Sequence, residues 1–106
     1  MSAKHVLVGA VVLLVVSASA ARAQNPAAAQ YASACAMCHG AAGTPAAGMV
    51  RSLGAMPDFA TVTAPADSVW VHAITAGKGK MPAFGTRMQP AQVRAMVAYL
   101  RTLKKH

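Results

Sequence analysis

The sequence has 106 residues and a formal net charge of +8, with Asp58 and Asp67 as its only acidic residues. This length allows one small domain. No aromatic residues alternate with the basic ones to form a platform on which bases could stack, so we expect no nucleic-acid partner. An excess of cations instead predicts partners with acidic protein surfaces or anionic lipid surfaces.

The first 23 residues have the pattern of an export signal. Lys4 precedes an apolar run at residues 6–16, and Ala21-Arg22-Ala23 places small residues where an export peptidase reads them, which predicts cleavage before Gln24. Such a run is short for a membrane span, which needs about 20 residues. An uncleaved anchor is the alternative. We expect a periplasmic protein without stable membrane insertion, in which residues 24–106 form one domain and the net charge falls to +6 because Lys4 and Arg22 are removed.

The mature chain begins with a predicted helix. Asn25 is a suitable N-cap, and Pro26 suits the first helical position. Ala27, Tyr31 and Cys35 follow at four-residue spacing and therefore share one face of this helix. That face leads directly into the next motif.

Residues 35–39 read Cys-Ala-Met-Cys-His, the attachment pattern for a c-type haem. Two thiols three positions apart on one helical turn can each add to one haem vinyl group. The adjacent His39 is then held beneath the iron, where an imidazole nitrogen can bind the metal. We therefore predict covalent haem at Cys35 and Cys38.

The sequence argues against two other interpretations of the cysteine pair. A thioredoxin-type dithiol belongs to an alternating strand and helix pattern, and no convincing run of strands is present. A zinc site needs four well-placed ligands, and the sequence has no second cysteine pair.

Residues 40–66 lack clear periodicity and are divided by glycine and proline into turns. We expect part of this segment to wrap the haem. Its apolar side chains are available to cover the cofactor: Met49, Val50, Leu53, Met56 and Phe59.

A second helix is predicted from Pro65 and Asp67. Trp70, Ala73 and Ile74 form its apolar stripe, and Gly77 is placed to end it. His72 falls off this stripe and is interpreted as a solvated side chain, with a distal haem ligand as the minor alternative.

The loop at residues 77–82 reads Gly-Lys-Gly-Lys-Met-Pro. Its glycines free the backbone, and Pro82 fixes the chain directly after Met81. Because Met81 lies outside any helical stripe, its thioether is the candidate ligand for the iron face opposite His39.

The last predicted helix runs from Gln89-Pro90 to about Lys104. Its apolar stripe follows helical spacing and consists of Val93, Met96, Val97, Leu100 and Lys104, with Leu103 at its flank.

These pieces resemble the class I monohaem cytochromes c in their small bacterial periplasmic form. The resemblance rests on CAMCHG at 35–40, GKGKMPAFG at 77–85 and PAQVRAMVAYLRTL at 90–103, and covers residues 25–104. It implies an all-α cytochrome c fold, with three main helices and loops wrapped around one covalent haem, and with the first and last helices crossing near Tyr31, Met96 and Tyr99. Ala27 stands where relatives usually have glycine.

The resemblance also implies the roles of the site residues. Cys35 and Cys38 would carry the thioether bonds, and His39 and Met81 would be the axial iron ligands. A proline carbonyl usually supports the proximal histidine in this family, and Pro45 and Pro57 compete for that role.

The function that follows is soluble one-electron transfer by a monomer that is not an enzyme. Lys78, Lys80 and Arg87 flank the Met81 loop and predict an acidic redox partner. The alternatives are a haem-based sensor or peroxidase-like enzyme with a labile distal ligand, and an electron-transfer subunit of a dehydrogenase or oxidase complex.

Overall fold

The computed structural model describes residues 25–105, which form helices joined by loops. The helices are α1 (Pro26–Ala34), α2 (Ala36–His39), α3 (Ala47–Leu53), α4 (Asp67–Ala76) and α5 (Pro90–Thr102). Between residues 25 and 105 there is no strand, only an isolated antiparallel bridge between Lys78 and Met81. The all-α prediction is confirmed, whereas the predicted signal segment and its cleavage site lie outside the described residues.

Helix α1 begins as its sequence predicts. The Asn25 side chain accepts a hydrogen bond of 3.2 Å from the Ala28 amide, and Pro26 occupies the first helical turn, where its missing N–H costs nothing. Ala27 and Tyr31 are buried and Cys35 is half-buried, so the predicted face points inward. This face ends at Cys35, the first residue of the Cys-Ala-Met-Cys-His motif.

Helix α5 begins with a reciprocal cap. The Gln89 amide donates a hydrogen bond of 2.7 Å to the Gln92 side chain, and the Gln89 side chain accepts from the backbone of the same turn. Val93, Met96, Val97 and Leu100 are buried as predicted. The prediction for Lys104 is wrong, since the helix ends at Thr102 and Lys104 is exposed.

The core forms where α5 packs against both α1 and α4. The rings of Tyr31 and Tyr99 lie 5.4 Å apart at this contact, and Met96 is 1% exposed. Burying an apolar side chain such as that of Met96 contributes about 1.5–3 kcal/mol to the stability of the fold. The core cluster comprises Tyr31, Phe59, Trp70, Ile74, Met88, Val93, Met96, Val97 and Leu100.

The segment at residues 40–66 contains a helix that periodicity did not predict. Helix α3 is only seven residues long and has no buried residue, so it presents no continuous apolar stripe. A backbone hydrogen bond joins the beginning of this segment to its later part: the Phe59 amide donates to the Gly43 carbonyl at 2.9 Å. Phe59 thereby joins the core cluster.

Helix α4 ends where predicted, at Gly77, whose φ is 77° and whose amide donates to the Ala73 carbonyl. Arg101 of α5 joins the two helices: its Nε donates to Asp67 at 2.7 Å, and its guanidinium lies 5.1 Å from the Trp70 ring centroid. No helix in the described part of the chain is long and apolar enough to span a membrane.

Candidate functional site: a haem-binding motif and a methionine loop

The two cysteines lie one turn apart at the junction of α1 and α2. The Cys35 amide donates to the Tyr31 carbonyl at 2.9 Å, and the amides of Cys38 and His39 donate back to the Cys35 carbonyl at 3.2 and 2.9 Å. Both thiols are unpaired and half-buried. Burial raises the pKa of Cys35 above its usual value.

The His39 ring lies against Phe59, with the two ring centroids 5.2 Å apart and the planes tilted by 30°. Burial lowers the pKa of His39, which favours the neutral imidazole that binds metals. Its Nδ1 is buried and has no hydrogen-bond partner. Neither the Pro45 nor the Pro57 carbonyl accepts from it, so the choice between these prolines stays open.

Gly40 turns the chain out of the haem-binding motif. Its φ is 85°, and a Cβ atom there would lie 2.0 Å from the Thr44 carbonyl oxygen. A side chain at this position would therefore be excluded by the loop that follows. The turn brings the segment carrying Phe59 back over His39.

Met81 lies in a loop that hydrogen bonds fix at both ends. Lys78 and Met81 exchange backbone hydrogen bonds of 3.2 and 3.0 Å, which close a tight turn. After the loop, the amides of Phe84 and Gly85 donate to the Ile74 and Thr75 carbonyls at the end of α4. Met81 is half-buried and packs against the core cluster.

A contact that sequence reasoning missed joins this loop to α3. The Lys80 ammonium donates to the Ser52 carbonyl at 2.8 Å, across 28 residues of chain. Arg51, directly before Ser52, is exposed and adds a cation to the same region. No sequence signal pointed to this pairing, because the helix that carries Ser52 was not predicted.

Asp58 organises the return of the 40–66 segment. Its carboxylate accepts from the Thr44 hydroxyl at 2.8 Å and from the Ala60 amide at 3.0 Å. The Thr44 hydrogen bond is the main cause of a lowered pKa for this carboxyl. Asp58 thus ties the backbone directly after Phe59, the residue that lies against His39, to Thr44 near the start of the segment.

The arrangement fits a covalently held haem better than a bare ion. Two unpaired thiols one turn apart, next to a half-buried imidazole whose pKa is lowered by burial, are the groups that haem attachment and iron ligation require. The Nδ1 atom of His39 is buried and has no hydrogen-bond partner, so this imidazole needs a further partner to satisfy it. Among residues 25–105 no group of three or more His, Cys, Asp and Glu side chains is arranged to hold a metal ion.

Comparisons with known proteins agree with this geometry. The fold is similar to a solved structure described as "KustC0563 c-type cytochrome", with a TM-score of 0.64 and 29% sequence identity, covering 74% of this chain and 98% of the other. No curated protein matches the chain. The all-α fold with this motif is therefore that of a small c-type cytochrome.

The family follows from the sequence match. Residues 22–100 match the family described as "Cytochrome C oxidase, cbb3-type, subunit III", and the chain belongs to this family. Membership implies covalently bound haem c and a role in electron transfer. The predicted resemblance to the small c-type cytochromes is confirmed.

Proposed function

We propose that this protein is an exported one-electron carrier with a single haem, attached through Cys35 and Cys38 and ligated by His39 and Met81. The observation that carries the proposal is the placement of both thiols and the half-buried imidazole of His39 on one turn. The half-buried Met81, held by a loop closed at both ends, supports the choice of distal ligand.

Each residue has a distinct task in this proposal. A haem bound here supplies reversible one-electron chemistry at its iron, and thioether ligation favours the reduced form. Phe59 restrains the His39 ring, and the core cluster restrains Met81. With both axial positions filled by side chains, no position is left for a substrate, so we propose electron transfer without catalysis.

Covalent attachment is tested by exporting the protein, denaturing it and extracting it with acidified solvent. We expect the haem to stay with the polypeptide and the mass to rise by one haem. Cys35→Ser and Cys38→Ser should each reduce the haem retained. Met37→Ala is the matched control, because Met37 lies between the cysteines and is 81% exposed. A wild-type protein without covalent haem would overturn the proposal.

Export is part of the same proposal. It rests on the apolar run at residues 6–16 and the small residues before Gln24. The N-terminal residue of the purified protein tests it, since cleavage at the proposed place leaves Gln24 first. A protein that retained Met1 in the membrane fraction would contradict it.

Partner docking is proposed at the cationic surface around the Met81 loop, formed by Arg51, Lys78, Lys80 and Arg87. All four side chains are exposed, and the Lys80–Ser52 hydrogen bond brings the end of α3 to the loop. None of the four forms an ion pair with Asp58 or Asp67, the only acidic residues. A redox partner with an acidic surface complements this charge.

The family description favours a second candidate, an electron-transfer subunit of a terminal oxidase. The two candidates differ in what is recovered from cells. A free carrier is recovered from the periplasm as a monomer, whereas a subunit is recovered with its complex. A sensor or peroxidase-like enzyme is distinguished by rapid binding of carbon monoxide to the reduced protein.

A further inference from the structure

Tyr31 forms hydrogen bonds at both ends of the haem-binding motif. Its backbone carbonyl accepts from the Cys35 amide at 2.9 Å, at the start of the motif. Its hydroxyl donates to the Gly40 carbonyl at 2.6 Å, one residue after His39. This distance is ordinary for an O–H···O hydrogen bond, and one residue therefore contacts the backbone at both ends of the motif.

The phenol is held in place by α5. Tyr31 is only 1% exposed, and the Tyr99 ring lies 5.4 Å away at an angle of 56°. Met96 is equally buried in the same core cluster. Because its ring is held by packing and not by the hydroxyl, Tyr31 can lose its oxygen without losing its place.

The Gly40 carbonyl lies where the motif passes into the loop. The Gly43 amide also donates to it, at 3.1 Å, and the Gly40 amide donates to Ala36 at 2.8 Å. The Gly43 carbonyl in turn accepts from the Phe59 amide. Displacement of Gly40 would therefore move the backbone of His39 and the ring of Phe59 that lies against it.

We propose that the Tyr31 hydroxyl is a positioning group that sets the orientation of His39 by holding the Gly40 carbonyl. This inference rests on the proposed role of His39 as an iron ligand. It goes beyond packing, because it assigns a task to the oxygen atom alone. The ring can serve as core without that oxygen.

The test compares Tyr31→Phe with Tyr99→Phe in the haem-loaded protein. Tyr99 belongs to the same aromatic pair, but its hydroxyl makes no hydrogen bond to another residue between 25 and 105, so it is the matched control. We expect amide hydrogen exchange at His39 and Gly40 to quicken about tenfold in Tyr31→Phe and to stay unchanged in Tyr99→Phe.

A second measurement reads the orientation of His39 directly. The spread of the haem methyl resonances in the oxidised protein depends on the direction of the axial imidazole plane. We expect this pattern to change in Tyr31→Phe only. An unchanged pattern with unchanged exchange, or equal changes in both variants, would overturn the inference.

The wild-type protein provides a check that needs no variant to fold. A Tyr31 hydroxyl bonded to Gly40 should give a slowly exchanging proton resonance in contact with the Gly40 region. Its absence would also overturn the inference. Failure of the proposed function is distinct from this, since it would appear as a wild-type protein without covalent haem.

Discussion

Asp58 shows how one side chain stabilises the loop that packs against His39. Its carboxylate accepts hydrogen bonds from Thr44 and from Ala60, the residue that directly follows Phe59, whose ring lies against His39. The hydrogen bond from Thr44 is the largest cause of its lowered pKa, and the Ala60 and Thr61 hydrogen bonds and the Lys105 charge act in the same direction, whereas partial desolvation opposes them. The ionised form is therefore favoured in the folded state.

This pKa shift predicts a loss of stability in acid. A carboxyl whose folded pKa lies below its unfolded value stabilises the fold above the unfolded value and ceases to do so as pH falls through the folded one. We expect the Tm of the wild type to fall between about pH 5 and about pH 3, and to fall less in Asp58→Asn, which does not titrate. Thermal unfolding followed by circular dichroism at several pH values measures this.

Thr44→Val is the companion variant, because it removes the main cause of the shift and keeps the carboxylate. It too should show a smaller loss in acid. Parallel pH profiles for all three proteins would show that Asp58 has no such role.

The Met81 loop is the element on which the proposed distal ligation depends, and its two glycines have different tasks. Gly77 has a φ of 77°, and a Cβ atom there would lie 2.7 Å from the Met81 carbonyl oxygen and 2.9 Å from the Ala83 amide. Gly79 has a φ of 57°, but nothing lies within 4 Å of the corresponding position. At Gly77 the loop therefore leaves no room for a side chain, whereas at Gly79 it requires only a left-handed backbone conformation.

Alanine substitution separates these two requirements. We expect Gly79→Ala to cost about 1 kcal/mol, the usual penalty for a left-handed residue, with the iron–sulfur absorption band retained. Gly77→Ala should cost about 3 kcal/mol and weaken that band, because the Met81 backbone must move. Equal destabilisation by both variants, with the band intact in each, would refute the distinction.

The long helices were predictable because their signals are local. Asn25-Pro26, Gly77 and Gln89-Pro90 mark helix ends through the chemistry of a few neighbouring residues, and the stripe of α5 repeats over several turns. Helix α3 was not predictable, since a seven-residue helix without a buried side chain has no periodic signal.

The site was predictable to a similar extent. The spacing of Cys35, Cys38 and His39 is local, whereas the Lys80–Ser52 hydrogen bond and the contact of Phe59 with His39 join residues that are distant in sequence. Such contacts depend on the path of the whole chain. The role of Tyr31 could be predicted only in part. Its four-residue spacing from Cys35 indicated which helix face it occupies, but not the hydrogen bond from its hydroxyl to Gly40.

Charge is the property of the whole molecule that bears on partner choice. The sequence has ten Lys and Arg residues and only two acidic residues, of which Asp67 is already paired with Arg101. The cations around the Met81 loop are therefore not neutralised by acidic neighbours. Association with an acidic partner should slow as ionic strength rises.

Charge reversal tests where docking occurs. We expect Arg51→Glu and Lys78→Glu each to slow reduction by an acidic redox partner about tenfold at low salt, with the difference disappearing at high salt. Lys104→Glu carries the same change in net charge on the C-terminal tail, which is tied to Ala60 through Lys105, and should have a smaller effect. Equal slowing by all three variants would indicate a general charge effect without a docking surface.

The central claim, that His39 and Met81 bind the iron of a covalently held haem, is tested most directly by the visible spectrum of Met81→Ala. The wild type should show sharp reduced bands and, when oxidised, a weak sulfur-to-iron band at the red end of the spectrum. The variant should keep the haem, lose the sulfur band and bind carbon monoxide rapidly when reduced. Met49→Ala and Met56→Ala, which alter half-buried methionines of the 40–66 segment, should keep the band. A sulfur band that survived in Met81→Ala would contradict the account.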